Sequence, residues 1–257
     1  MDGRQDPGKR HDMSVPDSSA VATHVYNNIR ERIIDLTYPP GTRLSEARLA
    51  TELGLGRSPI RTAFARLKSD GWIDVSPQSG TYVKRPGEEE IREIFEFRLL
   101  LETHVTRLAA LNISSEQLQK LRKMHRRLSP EAGAEADAFD DFNELDSMFH
   151  ATIYGAANNR LMTGALLNLL EKVRWLKKSS PTSPERMQLW FAELGRILDA
   201  LEARDPDRAA EAMRQHIGNA ADFAAEVREQ LAAGQQHAHG KDGGGDEPET
   251  GSNRLHR

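Results

Sequence analysis

Cysteine is absent from the 257 residues. That excludes disulfides, thiolate metal sites and cysteine nucleophiles, and it suits a reducing compartment. No apolar run approaches the roughly 18 residues that a membrane-spanning helix needs. The opening segment MDGRQDPGKRHD has no apolar stretch of the secretory kind. The expectation is a cytoplasmic protein with no membrane partner. Strand signals are also missing from Glu88 to about Leu231, where the pattern reads as helix throughout. What the chain does have is 38% hydrophobic residues, enough to bury a core in one or two domains.

Charge is unevenly placed. Residues 21–86 carry 10 Lys and Arg against 6 Asp and Glu, whereas residues 87–257 carry 22 against 29. A polyanion is drawn to the first block and repelled by the second, the polarity of a small DNA-binding domain attached to something else.

The basic block is organised around LSEARLATELGLGRSPIRTAFARLKSD, residues 44–70. Leu49, Ala50 and Leu53 form one face of a short helix, with Ser45 as its N-cap and Gly54 as its stop. After Leu55 and Gly56, Ile60, Phe64 and Leu67 line the buried face of a second helix, leaving Arg57, Ser58, Arg61 and Ala65 uncovered. Pro59 sits in the first turn, where its missing N–H has no intrahelical partner to lose. Two helices joined by so short a turn cross steeply, as in a helix-turn-helix. Small and cationic side chains at the start of the second helix suit a major groove, where an arginine grips guanine O6 and N7. The same spacing also fits an ordinary helical hairpin with solvated arginines.

Residues 1–18 read as a disordered arm. From there Val21, Val25, Ile29 and Ile33 repeat every fourth residue, giving a helix that ends before Tyr38-Pro39-Pro40-Gly41. Beyond Asp70-Gly71, residues 72–75 and 81–84 read as two strands around Pro77-Gln78-Ser79-Gly80. Three helices and a hairpin make a winged helix-turn-helix over residues 19–86, with Gly80 in the wing. Arg85-Pro86-Gly87 marks the domain boundary. The remainder, residues 87–232, reads as an all-α antiparallel bundle of about six helices near 89–111, 114–128, 134–156, 159–178, 184–203 and 206–231, and residues 233–257 as a disordered tail.

Several polar residues fall on apolar stripes of this bundle. Arg98 shares a stripe with Ile91, Ile94, Phe95, Leu101, Val105 and Leu108, and a guanidinium facing a core needs an anionic partner. Glu102, four residues on, supplies it as an ion pair, or Arg98 clamps a ligand carboxylate in a cavity. Asp146 and His150 share a helix face with Phe142, Leu145, Phe149 and Ile153; His216 sits among Met213, Ala220, Phe223 and Val227. These three either hold a divalent cation with open positions, or are buried histidines bonded to carboxylates.

The segment PPGTRLSEARLATELGLGRSPIRTAFARLKSDGWIDVSPQSGTYV, followed by FRLLLE, DSMFH, NNRL and ILDALEARDPDRAAEAMRQHI, resembles the GntR family of bacterial transcription regulators across residues 20–230. The resemblance is to its FadR subgroup, which carries the helical C-terminal FCD domain. It implies a homodimer on a pseudo-palindromic operator of double-stranded DNA, with Arg48, Arg57 and Arg61 at the contacting positions and Gly80 in the wing. For the FCD domain it implies a metal such as zinc held by an Asp and three His, with a small organic acid beside it. Asp146, His150 and His216 match three of those positions, Leu194 stands at the fourth, and Arg98 matches an effector position. The expectation is a mainly α DNA-binding regulator, a repressor that senses a small carboxylate and is not an enzyme. Its alternatives are a purely structural bundle, or a metal-dependent hydrolase or lyase for which no general base is visible.

Overall fold

The computed structural model describes residues 18–127, 138–179 and 183–239. The chain divides into two units at Pro86 and Gly87. In the first, α1 (Ser18–Ile34), β1 (Arg43–Leu44), α2 (Glu46–Leu53), α3 (Arg57–Ser69), β2 (Ile73–Ser76) and β3 (Gly80–Val83) follow in order. The core closes where α1 lies on α3: Val25, Ile29 and Ile33 of α1 and Ile60, Phe64 and Leu67 of α3 are buried, as are Trp72 just before the sheet and Ile73 and Val83 within it. Ser45 caps α2 by accepting from the Arg48 N–H, and Gly54 ends it in the left-handed conformation at φ 64. Gly56 opens α3 without a side-chain cap.

The sheet has three antiparallel strands in the order β1-β3-β2, with Ser76 opposite Gly80 and Ile73 opposite Val83. The hairpin lies one residue from the expected positions at each strand, and β1 was not expected at all. A two-residue strand carries no periodicity of its own; Arg43 and Leu44 become a strand only because Tyr82 and Thr81 of β3 offer them partners.

The second unit contains α4 (Glu88–Asn112), α5 (Ser115–Arg127), α6 (Ala138–Ala156), α7 (Arg160–Lys178), α8 (Pro184–Glu202) and α9 (Pro206–His239). Local chemistry sets their starts: Glu88, Glu89 and Glu90 face the positive end of α4, while Asn159 and Ser183 cap α7 and α8. The helix α4 packs on α9 and also meets α6, α7 and α8, so it runs through the middle of the bundle. Val105, Ala109, Leu145, Phe149, Ile153, Leu194, Ile197, Leu201, Met213 and Ile217 are all buried in one continuous core.

One boundary needs correction. The last helix reaches His239, beyond the expected end near residue 231 and into the stretch from 233 that was read as disordered. Ala232, Ala233, Gln235, Gln236 and Ala238 are good helix formers, and one glycine at position 234 does not end a helix already running. The rest of the expected tail, the expected arm up to residue 17, and residues 128–137 with the Ser129-Pro130 break lie outside the described residues.

Candidate functional site

The crossing of α2 and α3 leaves the first turns of α3 uncovered. Arg57, Ser58 and Arg61 are exposed there, and Arg48 is exposed on α2. Arg61 is 72% exposed, with Glu46 Oε2 3.6 Å from its Nε; such a pair in water holds it only weakly. In the wing, Gly80 adopts φ +118, and a Cβ there would stand 3.1 Å from Arg43 Nε. Arg43 thus lies beside the wing glycine as a further exposed cation, and sequence reasoning missed it because it missed β1.

A second constellation is buried in the bundle. Asp146 and His150 come from α6 and His216 from α9; one donor atom from each lies within 4.8 Å of the other two. His150 Nε2 and His216 Nε2 are 3.3 Å apart. Two nitrogens at about 2.05 Å from one tetrahedral ion would be separated by about 3.3 Å. Each ring turns its other nitrogen to a carboxylate: His216 Nδ1 to Glu193 Oε2 at 2.8 Å, and His150 Nδ1 to Glu102 Oε2 at 2.8 Å. The Glu193 hydrogen bond behind His216 is the arrangement that orients a metal-binding histidine, whereas Glu102 stands close behind His150 without hydrogen-bond geometry. Asp146 Oδ1 lies 3.7 Å from His150 Nε2 and is buried without a hydrogen bond. These donors therefore fit a divalent cation, which would supply a positive centre for a ligand oxygen.

Leu194 contributes no donor. It is fully buried in the core with Ile197 and Leu201.

Arg98 and Glu102 are both buried, and Arg98 Nε donates to Glu102 Oε1 at 2.6 Å. The ion pair expected from their spacing is present. One nitrogen is left over: Arg98 Nη1 is buried and has no acceptor. Burial pushes the Glu102 carboxyl upward, yet Arg98 and then His150 outweigh it and hold the group at about 2. At His150, burial opposes the charged ring, but Glu102 and Asp146 prevail and raise its pKa. At His216 burial wins and the pKa falls, despite the Glu193 hydrogen bond.

Sequence reasoning missed four participants. Lys177 at the end of α7 donates to Asp146 Oδ2 at 2.5 Å. Glu193 holds His216, accepts from Asn219 at 2.7 Å, and has Arg186 at 3.5 Å. Glu193 carried a signal, since it falls on the apolar stripe of Trp190 and Ile197. Lys177 carried none, because a cation in the last turn of a helix ordinarily complements the dipole.

A winged helix-turn-helix unit followed in the chain by a helical unit with a buried polar centre is the architecture of a DNA-binding transcription regulator. Residues 21–83 match the bacterial regulatory proteins of the gntR family, and residues 93–219 match the FCD domain. The chain belongs to the GntR family, as a DNA-binding transcription regulator with an FCD domain.

The HTH-type transcriptional repressor RspR of Escherichia coli K12 is 29% identical over 82% of this chain and 91% of its own. The HTH-type transcriptional regulator McbR of the same strain is 24% identical over 77% and 91%. The fold is shared with the solved E. coli McbR/YncC, at a TM-score of 0.66, 21% identity and coverage of 80% and 97%. It is also shared with a putative GntR regulator from Rhodococcus sp. RHA1, at 0.68, 20%, and 81% and 99%. These relatives are regulators, not enzymes. Among the described residues, no helix is long and apolar enough to cross a membrane.

Proposed function

We propose that this regulator is a cytoplasmic homodimeric repressor whose winged domain, residues 19–86, reads a short inverted-repeat operator. Its helical domain, residues 87–232, senses a small carboxylate. Arg57, Ser58 and Arg61 read base edges, Arg48 joins them, and the backbone at Gly80 approaches the DNA from the wing. Dimers of this kind engage half-sites about one DNA turn apart. The repressor role follows the name of RspR. Arg98, positioned by Glu102, takes the effector carboxylate, and Asp146, His150 and His216 take a divalent cation such as zinc.

The observation that carries the sensor reading is Arg98 Nη1, an N–H donor buried inside the bundle with no acceptor. Leaving a charged donor unsatisfied is costly, and a ligand carboxylate repays that cost by completing the guanidinium fork. The 2.6 Å Arg98–Glu102 bond and the Leu194 substitution favour a second reading, a purely structural bundle.

A thermal-shift screen of organic acids with and without zinc separates the two, because a ligand of the folded state raises the melting temperature. Acids that shift the protein and change its affinity for operator support the sensor; no shift from any acid leaves the structural bundle. DNA reading is tested by anisotropy on duplexes at moderate salt, and equal affinity for every duplex refutes it.

A further inference from the structure

We propose that Arg43 is the cation with which the wing reads DNA: its guanidinium, laid against Gly80, enters the minor groove beside each half-site and favours A·T pairs there. This rests on the DNA reading by the winged unit given above, and adds to it a residue and a sequence preference.

The position of Arg43 follows from strand register. The strand β1 forms an edge of the sheet, with Arg43 opposite Tyr82 and Leu44 opposite Thr81. Side chains alternate between the faces of a strand. Leu44 and Val83 are buried on one face, so Arg43, Gly80 and Tyr82 share the other.

Gly80 makes room for the side chain. Its φ of +118 is one that L residues rarely adopt, and a Cβ there would stand 3.1 Å from Arg43 Nε, 3.5 Å from Nη2 and 3.7 Å from Cζ. The guanidinium thus packs along the glycine. Tyr82 fixes the same turn, its hydroxyl donating to the Ser79 carbonyl at 2.7 Å. A cation resting on a pinned turn has less freedom to lose on binding.

Charge makes this arginine available. Arg30, Arg32, Arg61 and Arg66 of the same unit each have a carboxylate oxygen at 2.5–3.8 Å. Arg43 has no such partner among the described residues. From Val75 to Val83 the hairpin holds no charged residue, so Arg43 brings charge to a tip that otherwise offers Pro77, Gln78, Ser79 and backbone. Small neutral side chains suit a groove about 6 Å wide. Runs of A·T pairs narrow that groove and strengthen its negative potential, which draws an arginine in. A G·C pair instead sets a guanine amino group there, a donor facing a donor. Arg57 and Arg61 would then read base edges, and Arg43 the shape of the flank.

The test is selection of duplexes from a random library by the full-length protein, followed by competition anisotropy on the selected operator and on a copy with its flanking A·T pairs changed to G·C. Wild type should enrich A·T pairs beside each half-site and prefer the A·T copy by about tenfold. Arg43→Met keeps the stem and removes the cation; the preference should shrink to about twofold or less, with the bases read by α3 unchanged. Arg43 is exposed, so the fold tolerates this change. Arg43→Lys should recover affinity but not the full preference, since an ammonium lacks the flat fork. Gly80→Ala, whose Cβ displaces the guanidinium, should lose the same preference and add nothing to the loss in Arg43→Met.

No flanking preference in wild type, or a loss in Arg43→Met that is equal on both duplexes as for a phosphate contact, overturns the inference and leaves base reading by α3 standing. If wild type enriches no sequence at all, the DNA reading itself fails and the inference with it.

Discussion

Replacing Arg98 by methionine keeps the volume and apolar stem but strands Glu102. Breaking a buried ion pair by removing one partner costs about 3–5 kcal/mol. The Glu102 carboxyl, held at about 2 by Arg98 and then His150 against the penalty of burial, gives the same sign, since losing Arg98 removes the larger of its two stabilising partners. For a bundle of this size the loss corresponds to a melting temperature lower by roughly 6–20 °C.

The pH dependence has a definite sign. Because the folded pKa of Glu102 is depressed, its contribution is present above the unfolded value near 4.3 and is lost as pH falls towards 2. Arg98→Met should therefore be most damaging at neutral pH, and the gap from wild type should narrow in acid. Adding Glu102→Gln removes the stranded charge and should recover at least about half of the loss, a coupling that a double-mutant cycle reads directly. The two units need not unfold together. Urea unfolding is best followed by Trp175 and Trp190 of the bundle in a Trp72→Phe background, since Trp72 is buried in the winged unit. A loss below about 1 kcal/mol at pH 7, additive with Glu102→Gln, would refute the electrostatic reasoning.

Three further outcomes follow. Arg57→Ala or Arg61→Ala should cost about 1–3 kcal/mol on operator and much less on random duplex; equal losses on both in competition anisotropy would reassign these arginines to phosphate. Gly80→Ala should lower both stability of the winged unit and operator affinity, by about 1–3 kcal/mol of backbone strain at φ +118, readable in melting and binding curves. His125 stacks on Phe191 at 3.8 Å, and burial lowers its pKa against the hydrogen bond to the Phe191 carbonyl. Its neutral form is favoured by folding, so stability should fall as pH drops below the unfolded value near 6.5 and on through the lowered folded value. In His125→Asn that slope should flatten in denaturant titrations between pH 5 and 7, and an unchanged slope would assign it elsewhere.

Much of the architecture was legible because it is local. Ser45, Gly54 and Pro59 mark helix ends through their own backbone chemistry, and the four-residue repeat of Val25, Ile29 and Ile33 needs no partner to be read. Arg98, Asp146, His150 and His216 stood out as polar residues on apolar stripes, which burial makes meaningful. Lys177, by contrast, has the sequence context of any helix-ending lysine, and Arg43 lies in a strand too short to have a pattern.

By itself the sequence determined which faces are buried, where helices start, and that four polar groups must be satisfied inside a helical core, since these follow from periodicity and from the cost of burying charge. Only the tertiary structure decided the partners. It turned His150 to Glu102 and His216 to Glu193, set their free nitrogens 3.3 Å apart, and laid Lys177 on Asp146. Pairings between residues 23 to 66 positions apart depend on how helices cross, and helix crossing is a property of packed surfaces that no single segment encodes.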